Sequence, residues 1–270
     1  MPAVTRALHP ALAPYVVSCV GFDFVLPPET VHHGLPSPTL TVVLSFDEPL
    51  DCGWLGEEGS EDYWSLVSGL HDTPALIRTH GRQHGLQLAL TPLGARALLG
   101  LPAGELGRTI VSPEATRELR EALPGDLHDR LSFAGWAERF DVVEAHLLAR
   151  LHHDERPSEM VDPVAEAWRL LVDSGGRLAV DEVAVRVGWS RRHLQARFAA
   201  EFGIGPKRLG RVVRFDRAHR LQESGVPLAE AAHRAGYADQ SHLHRDWRVL
   251  AGQTPRETAE DFPIVLSEVG

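Results

Sequence analysis

Short runs of β-branched residues, bounded by proline and glycine, mark the first third of the chain. They cover residues 15–22, 40–46 and 86–90. Runs of this length and composition predict strands. Residues 1–91 are therefore expected to form a small β barrel or sandwich.

From Pro92 the apolar residues take on a helical spacing, over 93–99, 114–123 and about 133–152. The longest of these segments carries a single apolar stripe, made of Trp136, Phe140, Val143, Leu147 and Leu151. Residues three or four positions apart share one face of a helix. The stripe either packs on the β-rich region or pairs with its copy in a homodimer, and the sequence leaves both open.

Nearer the C-terminus one pattern occurs twice, 48 to 49 residues apart. The first copy comprises Val183, Ala184, Gly188, Trp189, Ser190, Leu194, Phe198, Gly203 and Pro206. The second comprises Ala231, Ala232, Gly236, Tyr237, Leu243, Trp247, Gly252 and Pro255. A short helix, a tight turn and a second helix, repeated twice, predict two helix-turn-helix units, which place a helix in the DNA major groove.

The residue types at the turn of each unit suit the end of one helix and the start of the next. Gly188 and Gly236 stand where the first helix of each unit should end, since glycine adopts the left-handed conformation at little cost. Ser190 and Asp239 are suitable N-caps for the helix that follows. Each unit therefore has its own stop and start signals.

At about 100° per residue, the second helix of each unit has an apolar side and a polar side. Arginine suits guanine or phosphate, and glutamine suits adenine. We expect base contacts from Arg192, Gln195, Gln240, His244 and Arg245. Phosphate contacts are expected from Arg191 and Arg248, and Ser241 completes the predicted DNA-binding set.

Residues from about 164 to 262 resemble the C-terminal DNA-binding domain of AraC/XylS-type transcriptional regulators. The most diagnostic stretch runs from Ala231 through Gly236–Trp247 to Pro255, and Trp247 stands where the family usually has phenylalanine. The resemblance implies two helix-turn-helix units joined by a long helix at 206–224. It also implies binding to two adjacent major grooves of double-stranded DNA, with RNA polymerase as a further partner.

Charge is distributed unevenly along the chain. The formal net charge is −10, which by itself would disfavour a nucleic-acid partner. Residues 164–262, however, carry 16 basic against 13 acidic side chains, and residues 1–163 carry 11 against 23. The mildly basic half is the one with the repeat, so we expect few phosphate contacts and strongly salt-dependent nonspecific binding.

Other chemistries find little support in the sequence. Cys19 and Cys52 are too few for a disulfide scaffold. His32, His33, His71, His80 and His84 lack a recognisable ligand spacing, so no metal or cofactor site is predicted. Gly-x-Ser-x-Gly and the common phosphate-binding loops are absent, and no catalytic residue is assigned. No apolar run reaches a membrane-spanning length and no N-terminal signal is evident, so a cytoplasmic location is expected.

The sequence thus predicts a mixed α+β protein that regulates transcription and is not an enzyme. An N-terminal regulatory or dimerisation domain spans 1–153; it is β-rich and cupin-like over 1–91 and helical over 92–153. A linker at 154–163, an all-α DNA-binding domain at 164–262 and a tail at 263–270 follow. An unknown effector is expected at the N-terminal domain. Two alternatives remain: a metal-dependent cupin enzyme with a DNA-localising tail, and a regulator that works mainly through partner proteins.

Overall fold

The computed structural model describes residues 3–28, 30–153 and 162–260. The predicted tail and most of the predicted linker, 154–161, lie outside the described residues. Strands dominate up to Leu90 and helices follow from Pro92. The mixed α+β class predicted from the sequence is confirmed.

The strands form two antiparallel sheets. They are β1 Ala3–Thr5, β2 Val16–Val25, β3 Val31–Gly34, β4 Leu40–Ser45, β5 Leu50–Trp54, β6 Glu61–Tyr63, β7 Ser65–Ser68, β8 Ala75–Arg78, β9 Arg82–Leu90 and β10 Ile110–Val111. The six-stranded sheet has the order β1-β2-β9-β4-β7-β10, and the four-stranded sheet has the order β3-β8-β5-β6. Of the two predicted architectures, the sandwich is therefore correct, and the sheets do not close into a barrel.

The large sheet has two different faces because successive side chains along a strand alternate. On β4, Thr41 pairs with Ala89 and Val43 pairs with Gln87 of β9. These residues face the small sheet across an internal cavity. Their neighbours in the sequence, such as Val42 and Leu88, are buried in the core cluster that also contains the helices.

The helical extension comprises α1 Pro92–Gly94, a π-helical turn Ala95–Leu99, a 3-10 turn Ala103–Leu106, α2 Arg117–Ala122, α3 Gly125–Phe133 and α4 Trp136–His153. Helix α3 is not predicted from the sequence, which instead predicts that the last helix begins at about Phe133. In the structure the chain leaves helical geometry at Ala134, which has an extended backbone, and α4 starts at Trp136. Phe133 is 92% exposed at the end of α3.

The apolar stripe of α4 packs within the chain. Phe140, Val143 and Leu147 are buried in the core cluster shared with the large sheet. Trp136 lies so close to β2 that a methyl group on Gly21 would stand 2.3 Å from its ring. The stripe is therefore covered within the chain, which agrees with the first of its two interpretations, packing on the β-rich region.

The C-terminal part is all helical. It consists of α5 Asp162–Asp173, α6 Val180–Arg186, α7 Arg191–Phe202, α8 Pro206–Glu223, α9 Leu228–Ala235, α10 Gln240–Ala251 and α11 Pro255–Glu260. The pairs α6–α7 and α9–α10 are the two predicted units, and α8 is the connecting helix predicted at 206–224. Pro206 and Pro255 begin α8 and α11, where a missing N–H costs nothing.

The two parts of the chain are in direct contact along the C-terminal end of α7. Arg96 donates hydrogen bonds of 2.7 and 2.6 Å to the two carboxylate oxygens of Glu201. Beside this ion pair, Gly104 approaches α7 so closely that a methyl group there would stand 2.1 Å from the Ala200 carbonyl oxygen. A second contact joins His33 Nδ1 to the carbonyl oxygen of Ala251 at 2.6 Å.

None of the helices in the described ranges is long and apolar enough to cross a membrane.

Candidate nucleic-acid interface and internal cavity

The turn of each unit is built as the sequence predicts. Gly188 and Gly236 have φ values of +71° and +88°, the left-handed region that glycine tolerates. The Ser190 hydroxyl accepts a 3.2 Å hydrogen bond from the His193 N–H. The Asp239 carboxylate accepts a 2.7 Å bond from His242 N–H. Both second helices are therefore capped at their first turn by a side chain.

Apolar residues hold each second helix against its unit. Leu194 and Phe198 of α7, and Leu243, Trp247 and Leu250 of α10, are all 0% exposed. The Trp247 ring meets Phe215 of α8 at a centroid distance of 5.1 Å, in an edge-to-face arrangement. The apolar side predicted for each helix is thus the buried side.

The opposite side of α7 is open. Arg191, Arg192 and Gln195 are exposed, as are the small Ala196 and Ala199 between them. Arg191 donates a 2.8 Å hydrogen bond to Asp181 at the first turn of α6. This bond orients the Arg191 side chain at the start of α7.

The corresponding side of α10 is also open. Gln240, Ser241, Arg245 and Arg248 are exposed, and His244 is half-buried. Gln240 Nε2 lies 3.3 Å from His244 Nε2. The structure therefore brings each predicted set onto the solvent side of one helix.

The connecting helix α8 fixes both units by arginine contacts that the sequence analysis did not anticipate. Arg214 donates a 2.6 Å hydrogen bond to the Gly176 carbonyl, ahead of the first unit. Arg211 donates a 2.9 Å bond to Asp246 on α10 of the second unit. Hydrogen bonds to charged groups are worth about 1.5–3 kcal/mol each, and these two tie α8 to α10 and to the segment ahead of α6.

A cavity of about 500 Å³ lies between the two sheets and the C-terminal half of α8. This volume is in the range, about 300–1,000 Å³, that small-molecule sites occupy. Apolar side chains from both sheets line it, among them Val43, Leu66 and Ile77. The α8 residues that reach it are Phe215, Asp216, His219, Arg220, Gln222 and Glu223.

The polar end of the cavity is formed by α8. Arg220 and Asp216 form an ion pair of 2.9 Å. Burial raises the pKa of Asp216, and Arg220 opposes that effect. Burial also lowers the pKa of His219, which lies 3.6 Å from Glu223. The only sign of this cluster in the sequence is the spacing of polar residues by three and four along α8.

The N-terminal histidines have separate surroundings. Burial disfavours the charged form of His71 and lowers its pKa to about 4. His84 lies between Arg139 and Asp47, and His80 is 3.6 Å from Asp62. Across the described ranges, no group of three or more histidine, cysteine or acidic side chains is arranged to hold a metal ion.

Both cysteines are buried thiols. Cys19 lies in the core beneath the large sheet, and Cys52 lines the cavity. Burial raises the pKa of each to about 12. Each thiol is therefore protonated at neutral pH and a poor nucleophile.

Two units with exposed polar second helices, joined by one long helix, define the class of residues 162–260 as a double helix-turn-helix domain. The family model of a helix-turn-helix domain matches residues 183–261. An uncharacterized HTH-type transcriptional regulator of Bacillus subtilis, YbfI, is 30% identical over 140 residues, which cover 48% of this chain and 48% of YbfI. A putative AraC-like transcription regulator of Streptomyces antibioticus is 33% identical over 129 residues, covering 44% of this chain and 43% of that protein.

Residues 183–261 thus match a helix-turn-helix domain, and the similarity to an AraC-like regulator confirms the resemblance noted in the sequence. The chain matches only about half the length of these curated relatives. Over nearly the whole chain, the fold is similar to that of unsaturated fatty acid bound wild-type ToxT from Vibrio cholerae. That comparison has a TM-score of 0.56 at 9% identity and covers 97% of this chain and 100% of ToxT.

Proposed function

We propose that this protein is a transcriptional regulator that binds specific DNA through α7 and α10 and responds to a small molecule in the internal cavity. The observation that carries the proposal is the pair of equivalent helices, each apolar on its buried side and basic or amide-bearing on its open side. One such face is ordinary on a soluble helix. Two in register, on a repeated unit, favour a surface that follows DNA.

We assign base contacts to Arg192 and Gln195 of α7, and to Gln240, His244 and Arg245 of α10. Arg191 and Arg248 are assigned to phosphates, with Ser241 as a further DNA contact. Arg191 supports this division, since it lies at the start of α7, where it bonds to Asp181. The two helices are expected to enter adjacent major grooves about 10 base pairs apart.

The cavity supports a role for a small effector because its wall includes the helix that joins the two units. A molecule that contacts Asp216, His219 or Glu223 touches α8 directly. Arg211 of α8 bonds to α10 of the second unit, and Arg214 bonds to Gly176, just ahead of the first unit. A shift of α8 would therefore change the relative orientation of α7 and α10.

The proposed domain boundaries separate the part of the chain that forms the two sheets from the part that carries α7 and α10. We propose an N-terminal effector domain at 1–153 and a DNA-binding domain at 164–262, and a cytoplasmic site of action. RNA polymerase remains a predicted partner. A homodimer remains a prediction too, and would need a surface other than the covered stripe of α4. The described relatives are regulators, and we propose no enzymatic activity.

Replacing Arg245 by alanine tests the assignment. The side chain is exposed and takes part in no hydrogen bond or ion pair among the described residues, so we expect the loss to fall on DNA binding. We expect specific affinity to drop by about 1–3 kcal/mol, the usual cost of a bidentate base contact. The measurement is a titration of an operator found by selection, at fixed salt.

Two control variants sharpen that experiment. Arg117→Ala removes the same charge from an exposed position on α2, outside the DNA-binding domain, and should leave affinity unchanged. Arg248→Ala should weaken all sequences alike and reduce the slope of log K against log salt by about one. Equal effects of Arg245→Ala and Arg117→Ala would contradict the assignment.

A further inference from the structure

Two turns of the DNA-binding domain meet beside the connecting helix. The turn that leads into α6 lies so close to α8 that a methyl group on Gly176 would stand 2.0 Å from the Gly210 carbonyl oxygen. A methyl group on Gly236, in the turn of the second unit, would stand 2.8 Å from Arg177 Cγ and 3.8 Å from Arg214 Cδ. The segment ahead of the first unit therefore packs on both α8 and the second unit.

Two arginines on α8 bond to opposite sides of this junction. Arg214 donates a 2.6 Å hydrogen bond to the Gly176 carbonyl oxygen. Arg211 donates a 2.9 Å bond to Asp246 Oδ1 on α10. Because residues three apart lie on one face of a helix, both bonds start from the same face of α8. The two arginines thus connect the segment ahead of the first unit, through α8, to the second helix of the second unit.

The carboxylate on α10 depends on this contact. The side chain of Asp246 is only 12% exposed, and it lies between Arg245 and Trp247 in the sequence. Its second oxygen, Oδ2, is buried and makes no hydrogen bond, and neither does the buried Tyr237 hydroxyl. Burial raises the pKa of Tyr237, and the neighbouring Asp246 raises it further. Removing Arg211 would leave the Asp246 charge buried without its counter-ion, which is strongly unfavourable.

These polar contacts differ in kind from the apolar packing around them. Apolar burial is non-directional, and a core can lose its unique arrangement before it loses stability. Charge-assisted hydrogen bonds are short and directional. A buried ion pair adds little net stability, and its best-attested use is to select one arrangement over its alternatives. The contacts of Arg211 and Arg214 are therefore suited to orient the two units rather than to hold them together.

We propose that Arg211, Arg214 and Asp246 are positioning residues for DNA recognition. They fix the separation and rotation between α7 and α10, and so restrict the protein to operators whose two blocks have one spacing. The inference rests on the proposed function, since it names the class of DNA that the two helices accept. One base pair changes the separation of the blocks by about 3.4 Å and their rotation by about 34°. A shift of that size is larger than a hydrogen bond tolerates.

Operators with altered spacing test the proposal. One base pair is inserted or removed between the two blocks of an operator found by selection, and the full chain is titrated with each duplex at one salt concentration. We expect the wild-type chain to lose at least about tenfold in affinity on either change, because α7 or α10 then misses its block. Asp246→Asn and Arg214→Met should each reduce that loss to less than about threefold, because the two units then adopt several orientations. The two variants break different bonds, so each is a test by itself.

Trp247→Phe is the matched control. It weakens the packing of α10 but leaves both arginine contacts in place, so it should lower the affinity for every spacing alike. The double variant R211M/D246N should behave like Asp246→Asn alone, because the two residues act as a pair. The proposal would be overturned if Asp246→Asn and Arg214→Met both kept the full loss of affinity, or if Trp247→Phe relaxed the spacing as much as they do.

A distance measurement without DNA gives a second readout. Spin labels are attached after Ala199→Cys on α7 and Val249→Cys on α10, both at exposed positions. The two native cysteines are buried, and burial raises the pKa of each thiol to about 12, so they stay unlabelled. Pulsed electron paramagnetic resonance should give one narrow distribution of label distances in the otherwise wild-type chain and in the tryptophan control. The distribution should broaden with either positioning variant, and equal widths throughout would contradict the proposal.

The positioning role and the proposed function are tested separately. The distances are measured without DNA, so their widths do not depend on operator recognition. A chain that selects no DNA sequence, yet broadens with Asp246→Asn, would contradict the regulator and leave the positioning role intact. A wild-type chain that binds a two-block operator at every spacing would contradict the positioning role alone.

Discussion

Trp247→Ala should release α10 from the connecting helix. Trp247 is 0% exposed, its ring meets Phe215 at 5.1 Å, and its Nε1 donates a 2.9 Å hydrogen bond to Thr258. Truncating a buried tryptophan costs about 3–5 kcal/mol. The edge-to-face contact with Phe215 adds to the stabilisation from buried area. We therefore expect the free energy of unfolding to fall by about 4 kcal/mol, a change on the order of a thousandfold in the folding equilibrium.

Urea unfolding followed by circular dichroism measures this loss. With a slope of about 2 kcal/mol per molar urea, the midpoint should fall by about 2 M. Trp247→Phe is the matched control, since it keeps a ring against Phe215 but loses the bond to Thr258, and should cost only about 1–2 kcal/mol. A loss below about 1 kcal/mol for Trp247→Ala would show that the ring does not hold α10.

Three further outcomes test other parts of the structure. Gly188→Ala should lower the free energy of unfolding by about 1–2 kcal/mol, because a left-handed backbone strains any L-residue. Gly236→Ala should lower it more, since its methyl group would also stand 2.8 Å from Arg177. Equal losses in urea unfolding would contradict this contact. The pKa of His71 is about 4 in the folded chain, below its unfolded value near 6.5. Its full contribution to the free energy of unfolding is therefore present above about pH 6.5. This contribution, about 3 kcal/mol in all, should be lost as pH falls towards 4; a His71→Asn variant with the same pH dependence of unfolding would refute it. Glu201→Gln should lower the free energy of unfolding by about 1–2 kcal/mol, more than a surface pair contributes, because the Glu201 side chain is only 12% exposed in its ion pair with Arg96. An unchanged free energy of unfolding would mean that the contact between the two parts of the chain is weak.

The helix-turn-helix units could be predicted from the sequence because their signals are local. Gly188, Ser190 and Pro206 each specify the backbone at their own position, by a stop, a cap and a start. The long helix α8 ends at Glu223, before Gly225 at φ +82°. Short-range rules therefore sufficed for the C-terminal helices.

The arrangement of the strands was not predictable in the same way. The segments that become β2 and β4 are visible as β-branched runs, and the segment that becomes β9 as a leucine-rich run. Their pairing is not, since Val16 meets Leu90 across most of the N-terminal region. The stripe of α4 posed a similar problem, because an apolar helix face has the same pattern whether it covers a sheet or a second copy. The packing of Trp136 on Gly21 and the burial of Phe140 and Val143 distinguish the two.

The cavity was beyond sequence reasoning because it exists only when distant parts of the chain meet. Ser68 on β7 and Asp216 on α8 are far apart in sequence and line one space. The break before α4 was missed for a different reason. Leu127 and Leu131 of α3 are buried, but nine residues are too few for a decisive periodic pattern.

Selection of bound sequences from a random duplex pool, near physiological salt, tests the central claim most directly. Two equivalent helices on one scaffold should enrich a motif with two blocks about 10 base pairs apart, one turn of DNA. Changing Arg245 should relax only one block, and changing Gln195 only the other. No enrichment, or a single block unaffected by either change, would contradict the regulator proposed here.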